Sequence, residues 1–181
     1  MSFSAKVILA SLAVCVVGAS AGDCPSVNVE QNFDLQKFSG RWYQYSTYSS
    51  MEPGKCAYHE YTDNGNGTLG FSAFTYLPKK NKDMTIYGLI YPASEATDGK
   101  LLITYFHYGD VARNYYVLGT DYKNYAIVWS CRKDGSDARQ SSWIMTRKRV
   151  PSASVVESAN AVVDQNRIAK QYVLTDQSNC D

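Results

Sequence analysis

The strongest constraint on how this 181-residue chain folds is a series of eight short runs rich in Tyr, Trp, Val, Ile and Thr. They occupy residues 41–49, 56–62, 68–77, 84–91, 101–107, 113–120, 125–132 and 140–150. Turn chemistry separates them. Asp63-Asn64-Gly65-Asn66-Gly67 supplies residues that accept positive φ, Pro78 and Pro92 stop strands, and Lys133-Asp134-Gly135 marks another reversal. Eight β-type runs on short connections predict an all-β domain, either a sandwich or an up-and-down barrel. One segment departs from this pattern. After Pro151-Ser152, the residues Val155, Val156, Ala159, Val162 and Val163 recur at helical spacing and predict a single C-terminal helix with its valine face against the sheet. Tyr172-Val173-Leu174 reads as one more short strand. No repeat, linker or low-complexity tract divides the chain, so one domain is expected.

The N-terminus has a different character. Lys6 precedes an apolar run over residues 7–17, and Ala19-Ser20-Ala21 closes it. This pattern predicts a secretory signal peptide over residues 1–21 and a mature domain over 22–181. The apolar run falls short of the roughly 20 residues a membrane span needs. Lys6 accounts for the formal net charge of +1, leaving a neutral mature chain. Neutrality gives no support for nucleic-acid binding or a cation store. Cys24, Cys56, Cys131 and Cys180 lie outside the signal, an even number that predicts two disulfides in a secreted protein. Spacing alone leaves all three pairings open, and no Cys pair has metal-ligand spacing, so no metal is expected. The chain holds 15 Tyr against 6 Phe and 3 Trp, and tyrosine suits a cavity that is neither dry nor fully wet.

Residues 32–43, Asn-Phe-Asp-Leu-Gln-Lys-Phe-Ser-Gly-Arg-Trp-Tyr, read as a capped helical turn, a glycine at a tight bend and a strand opening on Trp42. Two further motifs follow: Thr120-Asp121-Tyr122-Lys123-Asn124-Tyr125 between two strand runs, and Arg147 at the end of the eighth. Together these resemble the lipocalin family. Cys24-Pro25, Gly54-Lys55-Cys56, Trp129-Ser130-Cys131 and the run 174–180 resemble its branch of insect bilin-binding proteins, insecticyanins and apolipoprotein D. The resemblance implies an eight-stranded antiparallel up-and-down barrel with one α-helix outside. It implies structural roles for Gly40, Trp42, Thr120, Asp121, Tyr122 and Arg147, with the Arg147 guanidinium laid over Trp42 as a cation–π contact. It also implies the pairing Cys24–Cys131 and Cys56–Cys180, each bridge stabilising by about 4 to 5 kcal/mol on chain-entropy grounds.

A barrel of this size encloses room for one small ligand. Phased from the resemblance and from strand alternation, the inward set is Gln44, Phe74, Tyr76, Ile86, Ile103, Tyr105, His107, Arg113, Tyr115, Ser130 and Trp143, with Ser46, Met84, Arg132, Ser141 and Met145 on the same faces. His59 is expected outside. Plain core filling is the alternative for any one aromatic, and a solvated rim for His107 and Arg113. The set implies a secreted, extracellular carrier of a small hydrophobic ligand, foremost a non-covalent bilin such as biliverdin. A carotenoid, hormone, retinoid or fatty acid is the alternative. A homo-oligomer is compatible with the sequence. With all four mature cysteines paired and no Ser-His-Asp set or paired carboxylates in the lining, enzymatic chemistry is not expected. Asn66-Gly67-Thr68 is a glycosylation sequon on an expected turn.

Overall fold

The computed structural model describes residues 23–49, 54–109, 111–168 and 171–180. The expected signal peptide lies outside them. Asp34 caps the one-turn helix α1 (Leu35–Phe38) by accepting the Lys37 N–H at 3.0 Å. The eight barrel strands are β1 (Gly40–Tyr48), β2 (Lys55–Asp63), β3 (Leu69–Leu77), β4 (Lys82–Pro92), β5 (Lys100–Tyr105), β6 (Arg113–Thr120), β7 (Tyr125–Asp134) and β8 (Asp137–Thr146). Each pairs antiparallel with the next, and β1 pairs with both β2 and β8, so the sheet closes on itself. Closure removes the free edges that an open sheet would expose. Outside the barrel lie α2 (Ala153–Asn166) and the two-residue strand β9 (Val173–Leu174), which pairs with β1.

Alternation of side chains divides the apolar residues between two cores. Trp42, Tyr61, Leu69, Phe71, Ile90, Leu101, Ile103, Val117 and Met145 fill the barrel's lower interior. Leu118, Ile127, Trp129 and Ile144 point outward and bury Ala159, Val163 and Ile168. Helix α2 comes close because Gly119 has no side chain; a Cβ there would lie 3.0 Å from both Val162 methyls.

One end of the barrel is shut by Arg147. Its guanidinium lies 3.7 Å from the Trp42 ring centroid. The same group donates to the carbonyls of Tyr122, Arg41, Lys37 and Ser39 at 2.9–3.1 Å, joining three separate chain segments. Gly40 permits this approach: its φ is +92°, and a Cβ there would sit 3.2 Å from Arg147 Nη1. Trp42 Nε1 donates to Phe38 O at 2.8 Å, tying the ring to α1. Thr120 and Asp121 build the adjoining turn. Thr120 Oγ1 accepts from the Tyr122 N–H, while Asp121 Oδ1 accepts from the N–H groups of Lys123, Asn124 and Tyr125. Burial works to raise the Asp121 carboxyl, but the Asn124 side chain and those backbone donors outweigh it and hold its pKa below the ordinary value.

The disulfides are Cys24–Cys131 and Cys56–Cys180. The second secures a seam. β1 and β2 share only the pairs from Gly40↔Tyr61 to Tyr43↔Tyr58. Beyond them the C-terminal tail bridges the two strands, with Gln177 Nε2 donating to Gln44 O at 3.0 Å and Ala57 O at 2.7 Å.

Candidate ligand-binding cavity

Above the packed floor the interior opens into a cavity of about 400 Å³. Its wall is aromatic and aliphatic: Phe71, Tyr105, Tyr115 and Trp143, with Ala73, Met84 and Ile86. Gln44, Ser130 and Arg113 line it as the sequence predicts, as do Ile86, Tyr105, Tyr115 and Trp143. Gln44 is held by its own bond, Nε2 donating to Thr175 Oγ1 at 2.7 Å. Ser130 donates to Asn114 Oδ1 at 3.1 Å.

Met84, Arg132 and Ser141 also line it as expected, whereas several other positions need correction. Strand β3 has the opposite phase to the one expected. Ala73 faces His59 and Ile86 across the neighbouring strands, and Thr75 faces Met84, so these small residues point inward. Phe74 touches the cavity edge, but its ring stacks on Tyr58 at 5.1 Å on the outer face. Tyr76 also points away and donates to Asn81 Oδ1 at 2.8 Å. The reason is legible afterwards: β3 carries large apolar groups on both faces, so alternation alone cannot phase it. Ile103 faces inward but is buried in the floor core and does not line the cavity. His107 is exposed and lies past the end of β5, where the Tyr108 N–H turns back to Tyr105 O. Tyr108 reaches the cavity in its place. In β1 a bulge between Gln44 and Ser46 reverses the alternation, so Ser46 turns outward opposite Ile144 and Thr47 turns inward opposite Trp143.

His59 is the largest correction. It is 5% exposed and lines the cavity. It pairs directly with Trp42 across β1–β2 and so inherits that residue's inward face. The register is what the sequence does not print: once it sets His59 opposite the inward Trp42, the histidine is inward as well. His59 Nδ1 lies 3.2 Å from Tyr61 Oη and 3.3 Å from Tyr115 Oη, and the two hydroxyls are 2.7 Å apart. Desolvation lowers the His59 pKa from 6.5 to about 3, so the ring is neutral at physiological pH. The same burial raises both tyrosines.

Toward the open end the wall becomes cationic. Arg113, Arg132 and Arg139 line it, from β6, β7 and β8. Arg139 Nε is paired with Asp134 at 2.6 Å, whereas Arg113 and Arg132 have no acidic partner among the described residues. No carboxylate lines the cavity among those residues. A larger groove of about 990 Å³ lies between α2 and the tail, but it is more open to solvent and is bordered by Glu157, Asp164 and Asp176. The interior cavity, enclosed and mostly apolar with a few placed polar groups, has the makeup of a small-molecule site.

A closed barrel with a sealed floor, an aromatic chamber and one open end defines a β-barrel binding protein. Comparison with known proteins gives the family. The model for the lipocalin / cytosolic fatty-acid binding protein family matches residues 39–179, and the chain belongs to that family. It is 33% identical over 162 residues to apolipoprotein D of Macaca fascicularis, covering 88% of this chain and 85% of that one. It is 31% identical over 134 residues to the bilin-binding protein of Pieris brassicae, covering 71% and 69%. The solved structure of insecticyanin from Manduca sexta superposes with a TM-score of 0.72 at 25% identity, covering 88% of each chain.

Proposed function

We propose that the protein is a secreted carrier that holds one small hydrophobic ligand inside its barrel, and that this ligand is a linear tetrapyrrole of the biliverdin type. The observation that carries the reading is the combination of an enclosed aromatic chamber with an arginine-lined, carboxylate-free mouth among the described residues. A bilin matches that donor set. Its conjugated rings suit Trp143, Phe71 and Tyr115, and its propionates suit Arg113 and Arg132. The relative named bilin-binding protein supports the same class. Gln44, Ile86, Tyr105, Arg113, Tyr115, Ser130 and Trp143 are the contacts carried forward from the sequence, with His59, Ala73 and Tyr108 added. The two disulfides suit an oxidising, extracellular setting.

A second reading has its own support. At about 400 Å³ the chamber lies low in the roughly 300–1,000 Å³ range of ligand pockets, which favours a slimmer lipophilic acid such as a fatty acid or retinoid. Titrating the purified protein with biliverdin and following its absorption separates the two. A saturable shift of the red and near-ultraviolet bands at one ligand per chain supports the bilin. Unshifted bands, with saturable binding of a fatty acid, assign the cavity to the second class.

A further inference from the structure

We propose that His59 presents its Nε2–H to the cavity as a fixed hydrogen-bond donor, selecting ligands that carry a carbonyl or hydroxyl oxygen on their buried end. This rests on reading the barrel interior as the ligand site.

Counting protons fixes the tautomer. His59 Nδ1, Tyr61 Oη and Tyr115 Oη form a triangle with sides of 2.7, 3.2 and 3.3 Å. The two hydroxyls carry one proton each, and neither makes another hydrogen bond among the described residues. If Nδ1 is bare, one hydroxyl donates along the 2.7 Å side and the other donates to Nδ1, so both protons are placed. If Nδ1 carries a proton, it must donate to one hydroxyl; one hydroxyl then donates to the other, and the remaining buried O–H proton has no acceptor. A buried donor left unmade costs about 1–3 kcal/mol. The triangle therefore selects the tautomer with bare Nδ1 and protonated Nε2. Burial keeps the ring from taking a second proton.

Nε2 makes no bond to the protein among the described residues, and the only fully buried side-chain atom without a partner among them is Thr75 Oγ1. The Nε2–H is therefore accessible from the cavity that His59 lines, where Phe71 and Trp143 flank the imidazole edge-on at 5.2 and 6.1 Å. The Tyr61 and Tyr115 hydroxyls act as positioning groups here: they fix the tautomer and are engaged with each other and with Nδ1, while the Tyr115 ring lines the chamber. The three arginines stand at the opposite end of the same chamber. Together the two ends specify a ligand with an acid toward solvent and an acceptor oxygen at the deep end. A bilin lactam meets this description, as does an ω-oxygenated fatty acid. The tautomer leaves no lone pair on Nε2 for a metal.

His59 and His107 are the two histidines of the chain, which makes a direct test simple. With histidine ¹⁵N-labelled in the imidazole ring, long-range ¹H–¹⁵N correlation should show His59 with protonated Nε2 and bare Nδ1 between pH 5 and 8, and His107→Gln should assign the signals. A protonated Nδ1 would overturn the proposal. The Tyr61→Phe/Tyr115→Phe variant should lose the fixed tautomer; an unchanged tautomer would show that the triangle does not set it. For ligand selection, dodecanoic acid and its ω-hydroxy analogue are the probes. The intact protein should favour the hydroxylated acid by about fivefold, and His59→Phe should remove the preference. Equal affinities in the intact protein would overturn the selective role. Should neither acid nor biliverdin bind, the carrier reading and the selective role fail together, and the tautomer measurement still decides the state of His59.

Discussion

Neutral burial of His59 makes the barrel's stability depend on pH in a way that one substitution isolates. The unfolded chain takes up a proton at this histidine near pH 6.5, whereas the folded chain does so only near pH 3. The folded pKa is depressed, so the contribution is complete above 6.5. It is lost as pH falls from there toward 3, at about 1.4 kcal/mol per pH unit. The whole interval corresponds to roughly 4–5 kcal/mol, and the drop from pH 7.5 to 4.5 to about 3 kcal/mol. Urea unfolding of the disulfide-intact protein and of His59→Phe at those two pH values gives the test. Removing the histidine also strands a tyrosine hydroxyl, but that cost is the same at both pH values, and the carboxylates common to both proteins cancel. The stability advantage of the parent over the variant should shrink by about 3 kcal/mol on acidification. A change below about 1 kcal/mol, or one of opposite sign, would refute the neutral buried state.

Other perturbations probe the barrel floor, the chamber wall and its mouth. Arg147→Met keeps an apolar stem over Trp42 but removes donors from four backbone carbonyls, and should cost about 2–4 kcal/mol in urea unfolding. Arg147→Lys should recover little of it, because an ammonium cannot reach carbonyls on both the 37–41 segment and Tyr122. Ala73→Phe should fill the chamber and weaken biliverdin binding at least tenfold by absorption titration, while Phe74→Ala should change it by about twofold or less, since Phe74 lies against Tyr58. Arg113→Gln/Arg132→Gln should weaken biliverdin about fivefold but leave its dimethyl ester unaffected; an equal loss for both would show that the arginines do not read the carboxylates.

Local residue chemistry was enough to place the elements along the chain, though not to choose between a sandwich and a closed barrel. Turn residues sit where the chain must reverse, and apolar runs of strand length lie between them, so eight strands and one late helix follow from local chemistry. The closing contact was legible through the lipocalin resemblance, which places Arg147 over Trp42 beside Gly40, as the structure has it. Which side chains face the chamber was decided by tertiary structure wherever the pattern was two-sided or shifted. Ser46 and Thr47 exchange faces because a bulge inserts one residue into β1, and a period of two cannot register an insertion. His59 is inside because β1–β2 pairing sets it opposite Trp42. The cavity itself depends on such a choice. β3 turns Ala73 and Thr75 inward and leaves Phe74 and Tyr76 on the outer face, and the volume those aromatic rings would have filled remains open to a ligand.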